Sequence, residues 1–404
     1  MARGTAGADL LITNVTVGAH PGAAMIQGCD VVERSGRIHA VRPRAENPEP
    51  VEGPVLDADG RVLAAGFWNC HVHFIDGVWS RARRSETGAL QRALDDMLVS
   101  RGFTSVVDLG SNSRNTLPLI ARIEAGELTG PTIHTATEPI HPARGVPFYT
   151  RESVSWFLRW ALPAPRTPAG ARRAARRGLR RGAHVIKLFT GSYVEPDRIK
   201  TMTSKVADAA VGEAHQQGVL VFAHPSNREG LKVALDAGVD VIAHVPDETE
   251  GTESLLLACA AQGKRLVPTL HMFAHTVTKS PTYTDPIDQA LRTFWESGGR
   301  ILFGTDVGYM DEYDTAGEFE ALHRCGLGAP EILASLTTEP AAAFGDTSLG
   351  TVEPGMAADL TLLETRSGDI EPRHLRDIAA VVKDGRVIHG SGELSVSGPP
   401  GASR

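Results

Sequence analysis

Cysteine is scarce in this sequence. Four occur in 404 residues (Cys29, Cys70, Cys259 and Cys325), with no paired spacing. A disulfide scaffold is excluded on that ground, and a reduced, cytoplasmic setting is expected. Positive charge is not in excess either: 41 Lys and Arg stand against 48 Asp and Glu, a formal net charge of −7. That excludes a general nucleic-acid binder, whose affinity rests on neutralising phosphates. No run of about 18 apolar residues occurs, and the first residues lack a basic segment followed by an apolar one. Neither membrane spanning nor secretion is expected.

What is present is a globular composition, 42% apolar and 22% charged, in a chain long enough to bury a substantial core. Residues 8–64 hold almost no helix signal. They read as short strands at 9–17, at 28–34 and 37–41 about a Ser35-Gly36 turn, and at 55–63 around Asp59-Gly60. From residue 66 the rhythm changes. Predicted strands at 67–74, 104–109, 131–136, 184–189, 219–224, 239–244, 266–271 and 301–306 alternate with predicted helices at 86–101, 169–181, 204–217, 228–237, 253–262 and 285–297. Gly102, Gly182, Gly218, Gly238, Gly263 and Gly298 stand where helix C-caps belong. The alternation predicts an α/β fold with a parallel sheet, and the count of eight strands predicts a (β/α)8 TIM barrel over 65–344. A doubly wound open sheet is the competing arrangement. Short strands return at 350–352, 358–363, 379–383 and 386–388, the last two about an Asp384-Gly385 turn. Residues 1–64 and 345–390 are therefore expected to build one small β-sandwich domain from both chain ends. Residues 391–404, rich in Gly, Ser and Pro, are expected as a disordered tail.

The run Gly66-Phe67-Trp68-Asn69-Cys70-His71-Val72-His73-Phe74 carries two histidines one residue apart. On a strand, alternate side chains share a face, so His71 and His73 converge and can share a metal ion. Alone, such a pair is as readily two ordinary histidines. In a (β/α)8 barrel, chemistry sits at the C-terminal strand ends. Later predicted strands carry Lys187, His224, His244 and Asp306 at or near those ends. Six ionisable residues so placed are hard to account for by packing, because a buried charge is costly unless paired or bound to metal.

In order, His71-x-His73, Lys187, His224, His244 and Asp306 resemble the metal motif of the amidohydrolase superfamily. Leu56-Asp57-Ala58-Asp59-Gly60-Arg61 resembles the family's entry to its first barrel strand, and Glu339-Pro340-Ala341-Ala342-Ala343-Phe344-Gly345 its barrel exit. The stretch from Leu349-Gly350-Thr351-Val352 through Asp359-Leu360 resembles its returning β-domain. The resemblance spans about residues 8–390 and is strongest to the imidazolonepropionase-like group, with its dipeptidases and amidases. Asn69, Cys70 and Pro225-Ser226-Asn227 depart from that group's pattern.

The resemblance implies two divalent metal ions, zinc first, with Lys187 carbamylated by CO2 into an anionic bridge. One ion is then held by His71, His73, Lys187 and Asp306, and the other by Lys187, His224 and His244. An ordinary Lys187–Asp306 ion pair in a one-metal site is the alternative. The implied reaction is hydrolysis of an amide bond, in a peptide, an N-acyl amino acid or a related small molecule, by a metal-activated hydroxide. Asp306 and His244 are the expected catalytic residues, with Asp306 carrying the water proton to the leaving nitrogen. Hydrolysis of a cyclic amide, imidazolone or lactone, and a non-catalytic binding protein on the same fold, are the competing readings.

Substrate-binding residues are expected on the loops that follow strands. His141, Arg144 and Tyr149 lie in a long loop, 138–168, that also holds Phe148, Trp156, Phe157 and Trp160. Tyr193, His271 and Tyr309 follow or close the fourth, seventh and eighth barrel strands. The seven arginines of 166–181 read as a solvated helix face rather than a docking patch. The expected partner is a small molecule or short peptide, with no nucleic acid and no membrane. Homo-oligomers are common among proteins this chain resembles.

Overall fold

The computed structural model describes residues 10–44, 53–75, 77–153, 162–366, 368–391 and 396–397. Five short strands come first: β1 (Leu10–Val17), β2 (Ile26–Arg34), β3 (Arg37–Pro43), β4 (Val55–Asp57) and β5 (Val62–Ala65). β2 and β3 form the predicted hairpin. Ser35 and Gly36 both take positive φ, 54 and 78, which matches a two-residue turn to the twist of its strands. β1 is interrupted at Asn14, where φ is +58 and the register with β2 slips. A bulge of this kind bends a strand. Ahead of it β1 pairs in parallel with β4, and beyond it with β5.

A strand stands at or beside each of the eight positions predicted from residue 66 onward: β6 (Phe67–Val72), β7 (Phe103–Asp108), β8 (Thr132–Thr135), β9 (Ile186–Phe189), and, after a hairpin of β10 (Gly191–Glu195) and β11 (Arg198–Thr201), β12 (Val221–His224), β13 (Val241–Ala243), β14 (Arg265–Val267) and β15, which is only Arg300–Ile301 where 301–306 was expected, so that Asp306 lies on the segment beyond it. They form two parallel runs, β6-β7-β8 and β9-β12-β13-β14-β15. The runs meet at both margins. Cys70 N–H donates to Phe303 O at 2.7 Å and Asp306 N–H to His71 O at 2.9 Å, while His184 N–H donates to Thr135 O at 2.7 Å and Phe189 N–H to Ile140 O at 2.9 Å. Strands covered on both faces read as near-continuous apolar runs. Accordingly, neighbouring residues along a strand feed separate cores. Trp68, Val107, Phe222, Val241, Val267 and Leu302 pack in one, and Phe67, Val106, Ala223, Ile242, Leu266 and Ile301 in the other.

The helices between these strands start within a few residues of their predicted positions. The six predicted C-cap glycines all have positive φ, from 68 to 109. Three further local expectations are corrected. The predicted helix 86–101 is Thr87–Met97 followed by a separate 3-10 turn, Val99–Arg101, because Leu98 leaves helical geometry. The predicted strand 266–271 stops at Val267. Pro268 and a left-handed Thr269 (φ +51) turn the chain into a helix, Leu270–Thr276, so His271 sits on a helix rather than at a strand end. Residues 350–352 form no strand: Gly350 turns at φ +97, and Val352 N–H donates singly to Ala19 O at 2.9 Å.

The chain then returns to the first sheet through β16 (Leu360–Leu363), β17 (Ile378–Lys383) and β18 (Arg386–Gly390). β16 pairs with β5, giving the order β18-β17-β16-β5-β1-β2-β3. Within the stretch expected as a tail, β19 (Val396–Ser397) pairs with β4, making nine strands among the described residues. Leu10, Ile12, Val31, Leu56, Leu63, Leu360 and Val382 form the core beside this sheet. All four cysteines are free and buried. No described helix is long and apolar enough to cross a membrane.

Candidate metal centre

β6 presents His71, and the chain just past its end presents His73, whose N–H donates to Val307 O at 2.8 Å. The segment after β15 brings in Asp306 from the neighbouring position. Gly308 (φ +96) permits this close approach, since a Cβ there would lie 1.9 Å from His73 O. Asp306 Oδ1 is 2.8 Å from His73 Nε2 and 3.4 Å from His71 Nε2, and Oδ2 is 3.9 Å from His244 Nε2. The 2.8 Å approach lacks hydrogen-bond alignment. Asp306 Oδ1, His71 Nδ1, His73 Nδ1 and Lys187 Nζ are all buried without a hydrogen-bond partner among the described residues. Leaving a buried polar atom unpaired costs about 1–3 kcal/mol. Asp306 Oδ1 is the orphan at the point where the His71 and His73 Nε2 atoms converge, which points to a partner from outside the chain. Imidazole nitrogens and carboxylate oxygens with converging lone pairs fit a divalent cation, and the ligand atoms of His71, His73 and Asp306 lie within 4.8 Å of one another.

His244 is set by its neighbour. Its Nδ1 lies 2.6 Å from Thr269 Oγ1, and that hydroxyl donates its only proton to Pro268 O at 2.8 Å. Thr269 must therefore accept from His244 Nδ1–H, which leaves the lone pair on Nε2, the nitrogen that faces Asp306. His244 (φ +78), Thr269 (φ +51) and Asp306 (φ +61) all hold left-handed backbone. Such positions cost about 1–3 kcal/mol each and gather at functional sites. Thr269→Val keeps the shape and deletes the acceptor. We expect it to weaken metal affinity about 10–100-fold, as measured by competition with a chelating dye.

The remaining predicted ligands close the group. The His224 ring centroid is 4.6 Å from that of His244 and 4.7 Å from that of Phe189. Lys187 Nζ sits 5.7 Å from the Phe189 centroid. Burial, followed by the field of Lys187, holds His71 and His224 well below the usual imidazole range. For His244 burial leads, followed by His224 and then Lys187. The imidazoles are thus kept neutral, the ligand-competent form. Burial draws the Lys187 amine down to about 7, against the opposing pull of Asp306.

Two residues given no role from the sequence support this centre. Asn69 ties β6 to the Asp306 segment: its Nδ2 donates to Thr305 Oγ1 at 2.8 Å, and its Oδ1 accepts from the backbone N–H groups of His71 and Thr305, each at 3.2 Å. Asp108, fully buried, accepts from Ser111 Oγ at 2.6 Å and from Thr116 and Thr135 Oγ1 at 2.8 Å, and lies 3.9 Å from His73 Nδ1. A polar residue at the end of an apolar run was the available signal for Asp108, as it was for the ligands.

One cleft is lined by all six predicted ligands together with His141, Tyr149, Tyr193 and Tyr309. His141 stacks on Phe189 (4.9 Å between centroids), and Tyr149 lies 5.5 Å from Tyr309. Burial draws His141 down to about 4 and raises the Tyr149 phenol above its usual range. Tyr193 OH donates to Asp247 Oδ2 at 2.8 Å, and Tyr283 OH donates to the same oxygen at 3.3 Å. Burial lifts the Asp247 carboxyl to about 6. Asp247 and Tyr283 were also missed, because they meet Tyr193 only through elements distant in sequence. Arg144 and His271 do not line the cleft: Arg144 is exposed, and His271 points to Glu312. Trp156, Phe157 and Trp160 lie outside the described residues.

The sequence profile described as the amidohydrolase family matches residues 62–391. An uncharacterised protein of Mycobacterium tuberculosis is 28% identical over 305 residues, covering 70% of this chain and 75% of its own length. An imidazolonepropionase of Methylobacterium nodulans is 24% identical over 388 residues, covering 85% and 89%. The crystal structure of a Xaa-Pro dipeptidase with methionine in its active site superposes with a TM-score of 0.80 at 23% identity, covering 95% of this chain and 100% of that one. With a profile match over most of its length, the chain belongs to the amidohydrolase family.

Proposed function

We propose that the chain is a metal-dependent hydrolase of an amide bond in a short peptide, an N-acyl amino acid or a related small molecule. One observation carries this reading: three imidazole Nε2 atoms converge on the Asp306 carboxylate, with the His244 tautomer held by Thr269 so that its lone pair faces inward. The donor set fits two divalent cations of the zinc class: His71, His73 and Asp306 would hold one, His224 and His244 the other, and a carbamylated Lys187 would complete the set. Such cations supply Lewis-acid activation of a carbonyl and of a water. Asp306 takes the water proton and passes it to the leaving nitrogen, releasing a carboxylate and an amine. His244 presents Nε2 to the same centre and is kept in register by Thr269. The tyrosines around Asp247 and the Phe189–His141 stack form the walls that select the substrate.

The architecture proposed with this function is one closed (β/α)8 barrel over 65–344, with a β-sandwich domain from residues 1–64 and 345–390 in a cytoplasmic protein. The hydrogen bonds at both margins of the two parallel runs support closure. A cyclic amide or imidazolone is the second reading, favoured by the imidazolonepropionase among the relatives. Purified protein is expected to carry bound transition metal and to hydrolyse linear dipeptides and acyl amino acids faster than cyclic amides and lactones. A metal-free protein inactive on both panels would overturn the proposal, and faster turnover of the cyclic panel would favour the second reading.

A further inference from the structure

Outside the cleft, two more imidazoles and a carboxylate meet. His271 and His275 are one turn apart on the helix Leu270–Thr276, so their side chains share a face. His271 Nε2 and His275 Nδ1 approach a single oxygen, Glu312 Oε2, at 2.7 and 3.1 Å. The three ligand-type atoms lie within 4.8 Å of one another. The other ring nitrogen of His275, Nε2, is 3.1 Å from Asp311 Oδ1. An ionised carboxylate only accepts, so His275 Nε2 carries the proton that faces Asp311. Its Nδ1 then keeps a lone pair and lies 3.1 Å from Glu312 Oε2 with no hydrogen bond between the two. A metal ion held by both atoms, or a second ring proton, would join them. Carboxylate, imidazole and metal in line is the arrangement by which proteins fix a metal-binding tautomer.

The seat of His271 is shaped as well. A Cβ at Gly317 would lie 2.1 Å from His271 Nδ1, so this ring position requires glycine. The His271 backbone N–H donates to the buried Glu318 Oε2 at 2.8 Å, which fixes the first turn of the helix.

We infer that His271, His275 and Glu312 form a further metal site, distinct from the catalytic centre, that takes a divalent transition-metal ion of the zinc class, with Asp311 positioning His275. Two imidazoles and one carboxylate suit zinc and its neighbours; calcium and magnesium prefer all-oxygen sites. The ion joins two walls of the cleft. The helix Leu270–Thr276 contributes Met272 and Phe273 to that wall, and the segment bearing Glu312 contributes Asp306 and Tyr309.

The test is calorimetric titration of the metal-stripped full-length protein with zinc chloride at neutral pH, checked by elemental analysis. The wild type is expected to bind one more zinc per chain than His275→Gln or Glu312→Gln, with magnesium giving no heat at this site. Asp311→Ala is expected to retain the site with affinity lowered about 10–100-fold, the cost of losing an orienting partner. Equal zinc stoichiometry and affinity in the wild type and in either folded ligand variant would overturn the inference, leaving a proton-bridged ion pair. The reading of the cleft is independent of this result, because its zinc is tested by variants at His71 and Asp306.

Discussion

Asp306→Asn is expected to lower kcat by about 10²–10⁴-fold, the range that a positioned general acid–base group contributes. The substitution is nearly isosteric. Asparagine tolerates left-handed backbone, so φ of +61 adds no new strain. The Asp306 N–H bond to His71 O, at 2.9 Å, is made by the backbone and survives. What is lost is the anionic oxygen that lies 2.8 Å from His73 Nε2 without a hydrogen bond of its own. An amide can neither hold the water proton nor balance cationic charge. Steady-state kinetics with a thermal melt beside them check this. A folded variant retaining kcat within about tenfold of wild type would remove Asp306 from proton transfer.

Lys187→Ala should be nearly as damaging, through a different route. The amine is 2% exposed and has no hydrogen-bond partner among the described residues. Burial has drawn it to about 7, so a large neutral fraction is present at neutral pH. A neutral amine adds to CO2, forming an N–C bond and releasing one proton, and the carbamate so formed is a two-oxygen anion. Among neutral imidazoles and beside the cations proposed above, that anion is favoured where an ammonium is not. We expect Lys187→Ala to lose at least one metal ion per chain and about 10²–10³-fold in kcat/KM, since a lost Lewis acid withdraws several kcal/mol of transition-state stabilisation. Short carboxylates such as acetate, filling the space left by the side chain, are expected to restore part of the activity. The carbamate itself is checked by carbon-13 NMR of protein equilibrated with labelled CO2. A spectrum without that resonance, together with unchanged metal content in the variant, would leave Lys187 as a simple cation.

What could be read in the sequence follows from how local each feature is. Strands such as β6, β7 and β13 were legible because each is a short run buried on both faces, and the helix ends because glycine supplies positive φ there. His71, His73, Lys187, His224, His244 and Asp306 were legible as ionisable residues interrupting such runs, and the cleft gathers all six. The supporting contacts were not. Thr269 matters only because Pro268 takes its proton, and Asp247 only because Tyr193 and Tyr283 arrive from a strand and a helix distant in sequence. His271 was misplaced because the seventh strand ends at Val267, short of the expected 271, and a short apolar run suits strand or helix equally.

The placing of β5 in mid-sheet has a cost during synthesis. Its neighbour β1 emerges from the ribosome ahead of it, but its other neighbour, β16, is translated only after the whole intervening α/β segment. Until then the nascent chain displays an unpaired, apolar strand, Val-Leu-Ala-Ala, as an open edge that any other extended peptide can join. Chaperone protection of this strand, and poor recovery of fragments truncated before residue 360, are the consequences for anyone expressing the chain in pieces.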